Sequence, residues 1–74
     1  MTTQVTVNGN QVAFHHDATL DDVVTTTMTR SDGTVRDRGV AVAVNQEVVP
    51  RARWNTTALR SDDVIEVVTA VQGG

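Results

Sequence analysis

An Asn8-Gly9 pair lies between two alternating apolar runs, with Val5 and Val7 before it and Val12 and Phe14 after it. A two-residue turn of type I′ needs positive φ at both central residues. Glycine adopts such angles freely and asparagine tolerates them. The spacing therefore predicts two antiparallel strands, Gln4–Asn8 and Gln11–Phe14, each apolar on one face. A two-stranded hairpin is not stable alone, so the remaining chain must cover that face and extend the sheet.

The cover is expected next. His15-His16-Asp17 should leave the sheet, and Thr19 looks like a helix N-cap. Asp22, three residues on, makes a variant capping box, and Asp21 and Asp22 both suit the positive end of a helix. Leu20, Val23, Val24 and Thr27 or Met28 fall on one helical face. Thr25-Thr26-Thr27 has poor helix propensity, so a short helix of about two to three turns held by packing is expected.

The stretch Thr29–Gly39 carries the turn signal Ser31-Asp32-Gly33 and then Arg36-Asp37-Arg38, and reads as a mobile loop. Val40, Val42 and Val44 alternate with Ala41 and Ala43, a strand with one bulky and one small face. Asn45-Gln46-Glu47 should turn into a short strand, Val48-Val49, ended by Pro50. Arg51–Leu59 is expected to be irregular or a short helical turn anchored by Trp54 and Leu59. Ser61-Asp62-Asp63 is a turn, and Val64–Thr69 is the last strand, with Ile65 and Val67 inward and Glu66 and Val68 outward.

This order of hairpin, helix and returning strands predicts an α+β, β-grasp (ubiquitin-like) fold: a mixed five-stranded sheet with one main helix packed on one face. A helical crossover lets the first and last strands pair in parallel. The domain is expected to span residues 1–69, and residues 70–74 to form a flexible tail ending in Gly-Gly. Extended from Thr69, that tail would reach about 20 Å.

Composition narrows the function. The chain has 74 residues, no Cys and a formal net charge of -3. A domain this small is stabilised by its core alone, without disulfides or thiolate metal sites, and a large internal ligand cavity is not expected. The acidic balance argues against nucleic-acid binding. No long apolar run suggests a membrane span. Met1-Thr2-Thr3-Gln4 does not look like the start of a signal peptide, so a cytoplasmic protein is the expectation. All six basic residues are Arg, which compositional bias explains.

Individual polar groups add little. His15 and His16, as neighbours in a strand, should point to opposite faces, and no metal site is expected. Asp21-Asp22 and Asp62-Asp63 are explained by a helix cap and a turn rather than by a hydrolytic carboxylate pair. Trp54 reads as a core or rim anchor. Arg51 and Arg53, or Arg36 and Arg38, could pair with acidic groups on a partner, although solvation accounts for them more simply. There is no Gly-rich phosphate loop and no nucleophile elbow.

Gly73-Gly74 is different. A carboxyl borne on two residues without side chains can enter a narrow site that a Cβ would block.

The segment Val42-Ala43-Val44-Asn45-Gln46-Glu47-Val48-Val49-Pro50-Arg51-Ala52-Arg53-Trp54 resembles the hairpin of the thiamine-biosynthesis sulfur-carrier family, ThiS. The Asn8-Gly9 hairpin, the Asp62-Asp63 turn and the final Gly73-Gly74 are similar as well. The resemblance covers nearly the whole chain. It departs at Thr29–Gly39, which is longer and richer in Arg than in compact members.

The resemblance implies a sulfur carrier that is a substrate of other enzymes rather than an enzyme. Gly74 would be the attachment point, first as an acyl-adenylate and then as a thiocarboxylate, and Gly73 would supply clearance. The implied partners are a ubiquitin-activating-type adenylating enzyme, a sulfur-donating enzyme and thiazole synthase. No cofactor would be bound, and ATP would be used by the adenylating partner. The outward sheet face and tail, Ala41, Ala43, Glu66, Val68, Ala70, Val71 and Gln72, would form the docking surface. Two alternatives stay open. One is the same chemistry for another client, as in the small subunit of molybdopterin synthase or a carrier for cysteine or tRNA thiolation. The other is a ubiquitin-like binding module or modifier with no sulfur role.

Overall fold

The structure, a computed structural model, describes residues 1–28 and 39–69. The expected loop therefore lies, apart from Gly39, outside the described residues, as does the expected tail from Ala70 to Gly74.

The opening hairpin forms as its sequence requires, with slightly longer strands. Strand β1 (Thr2–Val7) pairs antiparallel with β2 (Asn10–His15) in a register that places Val7 opposite Asn10 and Thr2 opposite His15. The two-residue turn between them holds Asn8 at φ 50° and Gly9 at φ 86°, the positive angles of a type I′ turn. Asn8 thus belongs to the turn rather than to β1, and His15 is still paired.

Helix α1 (Leu20–Met28) has nine residues and buries Leu20, Val23 and Val24. Its start is closed by Asp22, whose Oδ2 accepts the Thr19 backbone N–H at 2.8 Å and lies 3.4 Å from the Thr19 hydroxyl. The carboxylate half of the capping box is therefore made. The Asp22 N–H turns back to the Thr19 carbonyl at 3.0 Å.

Strand β3 (Val40–Val44) and β4 (Glu47–Val49) form a second hairpin around Asn45 and Gln46, at φ 51° and 73°. Glu47 is the first residue of β4 and pairs with Val44, rather than belonging to the turn. A 3₁₀ helix (Arg51–Thr56) follows Pro50, and β5 (Val64–Thr69) completes the sheet. The strand order is β2-β1-β5-β3-β4. Only the β1–β5 pairing is parallel among these neighbours. This is the mixed five-stranded sheet with a main helix, α1, packed on it that the element order predicts.

One core lies between sheet and helix. It joins Val5 and Val7 of β1, Leu20, Val23 and Val24 of α1, Val42 of β3, and Ile65 and Val67 of β5 with Ala18, Trp54 and Leu59. Leu20, Val23 and Ile65 have no exposed surface. Burying one such side chain fully contributes about 1.5–3 kcal/mol. Trp54 satisfies its indole by donating from Nε1 to the Val49 carbonyl at 2.9 Å, which fastens the 3₁₀ helix beneath β4. Leu20 N–H to Thr57 O, 2.9 Å, and Leu59 N–H to Ala18 O, 3.3 Å, tie the segment after that helix to the start of α1.

Candidate functional site

The faces of the sheet differ because strand residues alternate. The inner face is the core. On the outer face, register sets Ala41 opposite Val68 and Ala43 opposite Glu66 across β3 and β5, and Ala43 opposite Val48 across β3 and β4. Val48 is 72% exposed, Val68 56% and Val64 49%. The structure thus brings four of the residues chosen from sequence, Ala41, Ala43, Glu66 and Val68, onto one surface. Ala70, Val71, Gln72, Gly73 and Gly74 lie outside the described residues.

Two members of this face were not anticipated. Val64 has the parity of Glu66 and Val68, so alternation along β5 alone could have found it. Val48 needed the hairpin register: once Asn45-Gln46 is a two-residue turn, Val48 must oppose Ala43. Together these residues make an exposed, mostly apolar area with Glu66 as its acidic member. A surface with short side chains lets another backbone approach closely, which suits docking of a protein.

The strand that leads toward the C-terminus is fixed at two points by asparagine side chains. Asn8 reads the β5 backbone like another strand: its Oδ1 accepts the Val67 N–H at 2.8 Å and its Nδ2 donates to the Val67 carbonyl at 3.1 Å. Asn45 does the same near the start of β5. Its Oδ1 accepts the Val64 N–H at 3.0 Å, and its own N–H donates to the Val64 carbonyl at 2.7 Å. Asn45 Nδ2 also donates to Asp63 Oδ1 at 3.1 Å, and Asp63 Oδ2 accepts the Arg60 N–H at 2.9 Å. Asp63 is 9% exposed. Its carboxylate therefore closes the turn before β5, as Asp22 closes the start of α1. Both acidic groups serve the backbone.

The basic groups are distributed differently. The Arg51 guanidinium lies 6.0 Å from the Trp54 ring centroid, within cation–π range. Arg53 is exposed, and Arg36 and Arg38 lie outside the described residues. On the helix side of the β3–β4 hairpin, Val44, Glu47, Val49, Ala58, Arg60 and Asp63 help line an open groove of about 380 Å³.

The two histidines do not diverge as strand neighbours would. His15 ends β2 and His16 is already in the turn, so alternation no longer applies. Their rings stack with centroids 4.8 Å apart and planes 25° apart.

None of the described helices is long and apolar enough to cross a membrane. No curated protein matches the chain. Solved structures share its fold, among them these two. ThiS, a thiamine biosynthesis protein from Geobacter metallireducens, superposes with a TM-score of 0.73 at 20% identity, over 97% of this chain and 100% of that one. SAMP1 from Haloferax volcanii superposes with a TM-score of 0.55 at 17% identity over the full length of both chains. At these identities the likeness is one of fold, the β-grasp arrangement. The ThiS family model reaches further, matching residues 5–74 and so running through the terminal glycines. With that match over nearly its whole length, the chain belongs to the ThiS family, the sulfur-carrier family that its Pro50-Arg51 and Trp54 segment and its Gly73-Gly74 resemble.

Proposed function

We propose that the chain carries sulfur on the carboxyl of Gly74 and delivers it for thiazole formation in thiamine biosynthesis. The observation that carries this reading is the family match that continues through Gly73-Gly74.

The chemistry asks little of the carrier itself. A carboxylate is a poor electrophile, because substitution would expel an oxide. In an adenylating partner, a carboxylate oxygen attacks the α-phosphorus of ATP and pyrophosphate leaves. The acyl-adenylate then has a good leaving group. The outer sulfur of a donor persulfide attacks the acyl carbon, and AMP leaves. A thiol cleaves the resulting acyl disulfide at its S–S bond, which leaves the thiocarboxylate on Gly74 and a disulfide on the donor side. The thiocarboxylate is a soft nucleophile that thiazole synthase can use.

The partners bring the catalytic groups and ATP, and the carrier brings reach, clearance and a docking surface. Gly73 and Gly74 pass where side chains would collide. Ala41, Ala43, Glu66 and Val68 on the sheet, with Ala70, Val71 and Gln72 beyond it, meet the partner. Val48 and Val64 extend the same surface.

The test is intact mass after incubation with ATP, a cognate adenylating enzyme and a sulfur source. Replacement of one oxygen by one sulfur is the expected change, and a chain lacking Gly74 should not show it. The same shift in the shortened chain would refute attachment at Gly74. Co-purification with thiazole synthase, rather than with the large subunit of molybdopterin synthase, identifies the client.

A further inference from the structure

The connection from β2 to α1 gathers three groups with metal-ligand chemistry. The Ala18 N–H bonds back to the His15 carbonyl at 2.8 Å, forming a tight turn around His16 and Asp17. That turn puts both imidazoles against one carboxylate. Asp17 Oδ1 is 3.1 Å from His16 Nε2, and Asp17 Oδ2 is 3.8 Å from His15 Nδ1. One ligand atom from each of the three residues can be chosen so that all lie within 4.8 Å of one another.

The Asp17 backbone N–H donates to His15 Nδ1 at a long 3.3 Å, a contact that coordination through that nitrogen would replace. A tetrahedral ion with ligands at about 2.0–2.2 Å needs them closer together than the widest separation here. The side chains that must close it are 56–73% exposed, so their rotamers can change without disturbing the core. Two imidazoles and one carboxylate, with no thiolate in the chain, form a donor set suited to Zn²⁺, Ni²⁺ or Cu²⁺ rather than to Ca²⁺ or Mg²⁺.

We propose that His15, His16 and Asp17 form a surface site for a divalent transition-metal ion, with three protein ligands and the remaining positions open to water. His15 pairs with Thr2 at the start of β1, whereas β5 runs parallel to β1 and continues to Thr69. The site therefore stands at the opposite end of the sheet from the strand end that leads to Gly74. Ion binding and sulfur loading are separate properties of the molecule.

The probe is Zn²⁺ alone, titrated into the metal-free full-length chain. Heat is followed by calorimetry, and backbone and imidazole resonances by NMR. Saturable binding at one ion per chain is expected, with shifts confined to residues near His15, His16 and Asp17. His16→Gln and Asp17→Asn should each weaken binding by about tenfold or more. The His15→Gln/His16→Gln double variant should abolish it, with an unchanged circular dichroism spectrum because the side chains are exposed. No saturable binding by the wild-type chain would overturn the proposal. So would undiminished binding by the double variant, or shifts centred elsewhere, since either places the ion on other groups.

Discussion

Gln46 is held at φ 73° although it has a Cβ. That left-handed angle costs an ordinary residue about 1–2 kcal/mol, and glycine does not incur it. Glycine loses about 0.5–1 kcal/mol through its freer unfolded state, so the terms oppose each other and the strain is larger. Gln46→Gly should therefore stabilise the domain by roughly 0.5–1 kcal/mol, seen as a higher urea midpoint at constant slope. The reverse holds at Gly9, which sits at φ 86° with open space where a Cβ would lie. Gly9→Ala should cost about 1–2 kcal/mol from backbone strain alone. The contrast explains why the conformation of the first turn was legible, while the second was placed, at Asn45-Gln46-Glu47, without its geometry. Asn8-Gly9 states its geometry in its residue types. Asn45-Gln46 does not, because its conformation is set by strand pairing and by the Asn45 side chain gripping Val64, a partner 19 residues away.

At the level of elements, legibility followed periodicity. The alternation of Val40, Val42 and Val44 and the spacing of Leu20, Val23 and Val24 identify β3 and the buried face of α1, because burial there repeats with the period of the backbone. The 3₁₀ helix has no such repeat. Its position depends on one side chain, Trp54, which is 3% exposed and bonded to the Val49 carbonyl. Pro50, at φ -61°, directs the chain into it. Trp54→Phe keeps much of the apolar contact but removes the donor, leaving a carbonyl unpaired beside the core. A loss of about 1–3 kcal/mol is expected, measured by denaturant unfolding, and the β3–β4 hairpin should lose amide-exchange protection before the rest of the sheet. The face to which Val48 belongs stayed hidden for a related reason. A three-residue strand has too few positions to display a period, so only its register with Ala43 reveals it.

For the whole molecule, the order β2-β1-β5-β3-β4 puts the last strand in the centre of the sheet. The strand leading to the tail is consequently held from both sides, by β1 and by β3, and among the described residues the core runs from Val5 to Val67. A chain ended after Thr69 should keep its unfolding midpoint while failing to accept sulfur, separating stability from function in one variant. The outer face gives the complementary test. Val48→Glu with Val68→Glu alters exposed positions, so each change should cost under about 1 kcal/mol. Affinity for an adenylating enzyme should nevertheless fall at least about tenfold if that face docks, because each new carboxylate must be desolvated in the complex. The Asn8 clamp on Val67 has a chemical consequence as well. In an Asn-Gly sequence the glycine nitrogen can attack the asparagine side-chain carbonyl and expel ammonia, and hydrolysis of the cyclic product leaves aspartate or isoaspartate. In the folded domain both ends of the Asn8 amide are held by β5, so the attack must wait until the strands part. Deamidation at Asn8 should be slow in buffer and fast in urea. The deamidated fraction of a stored sample would then record how long its molecules have spent unfolded.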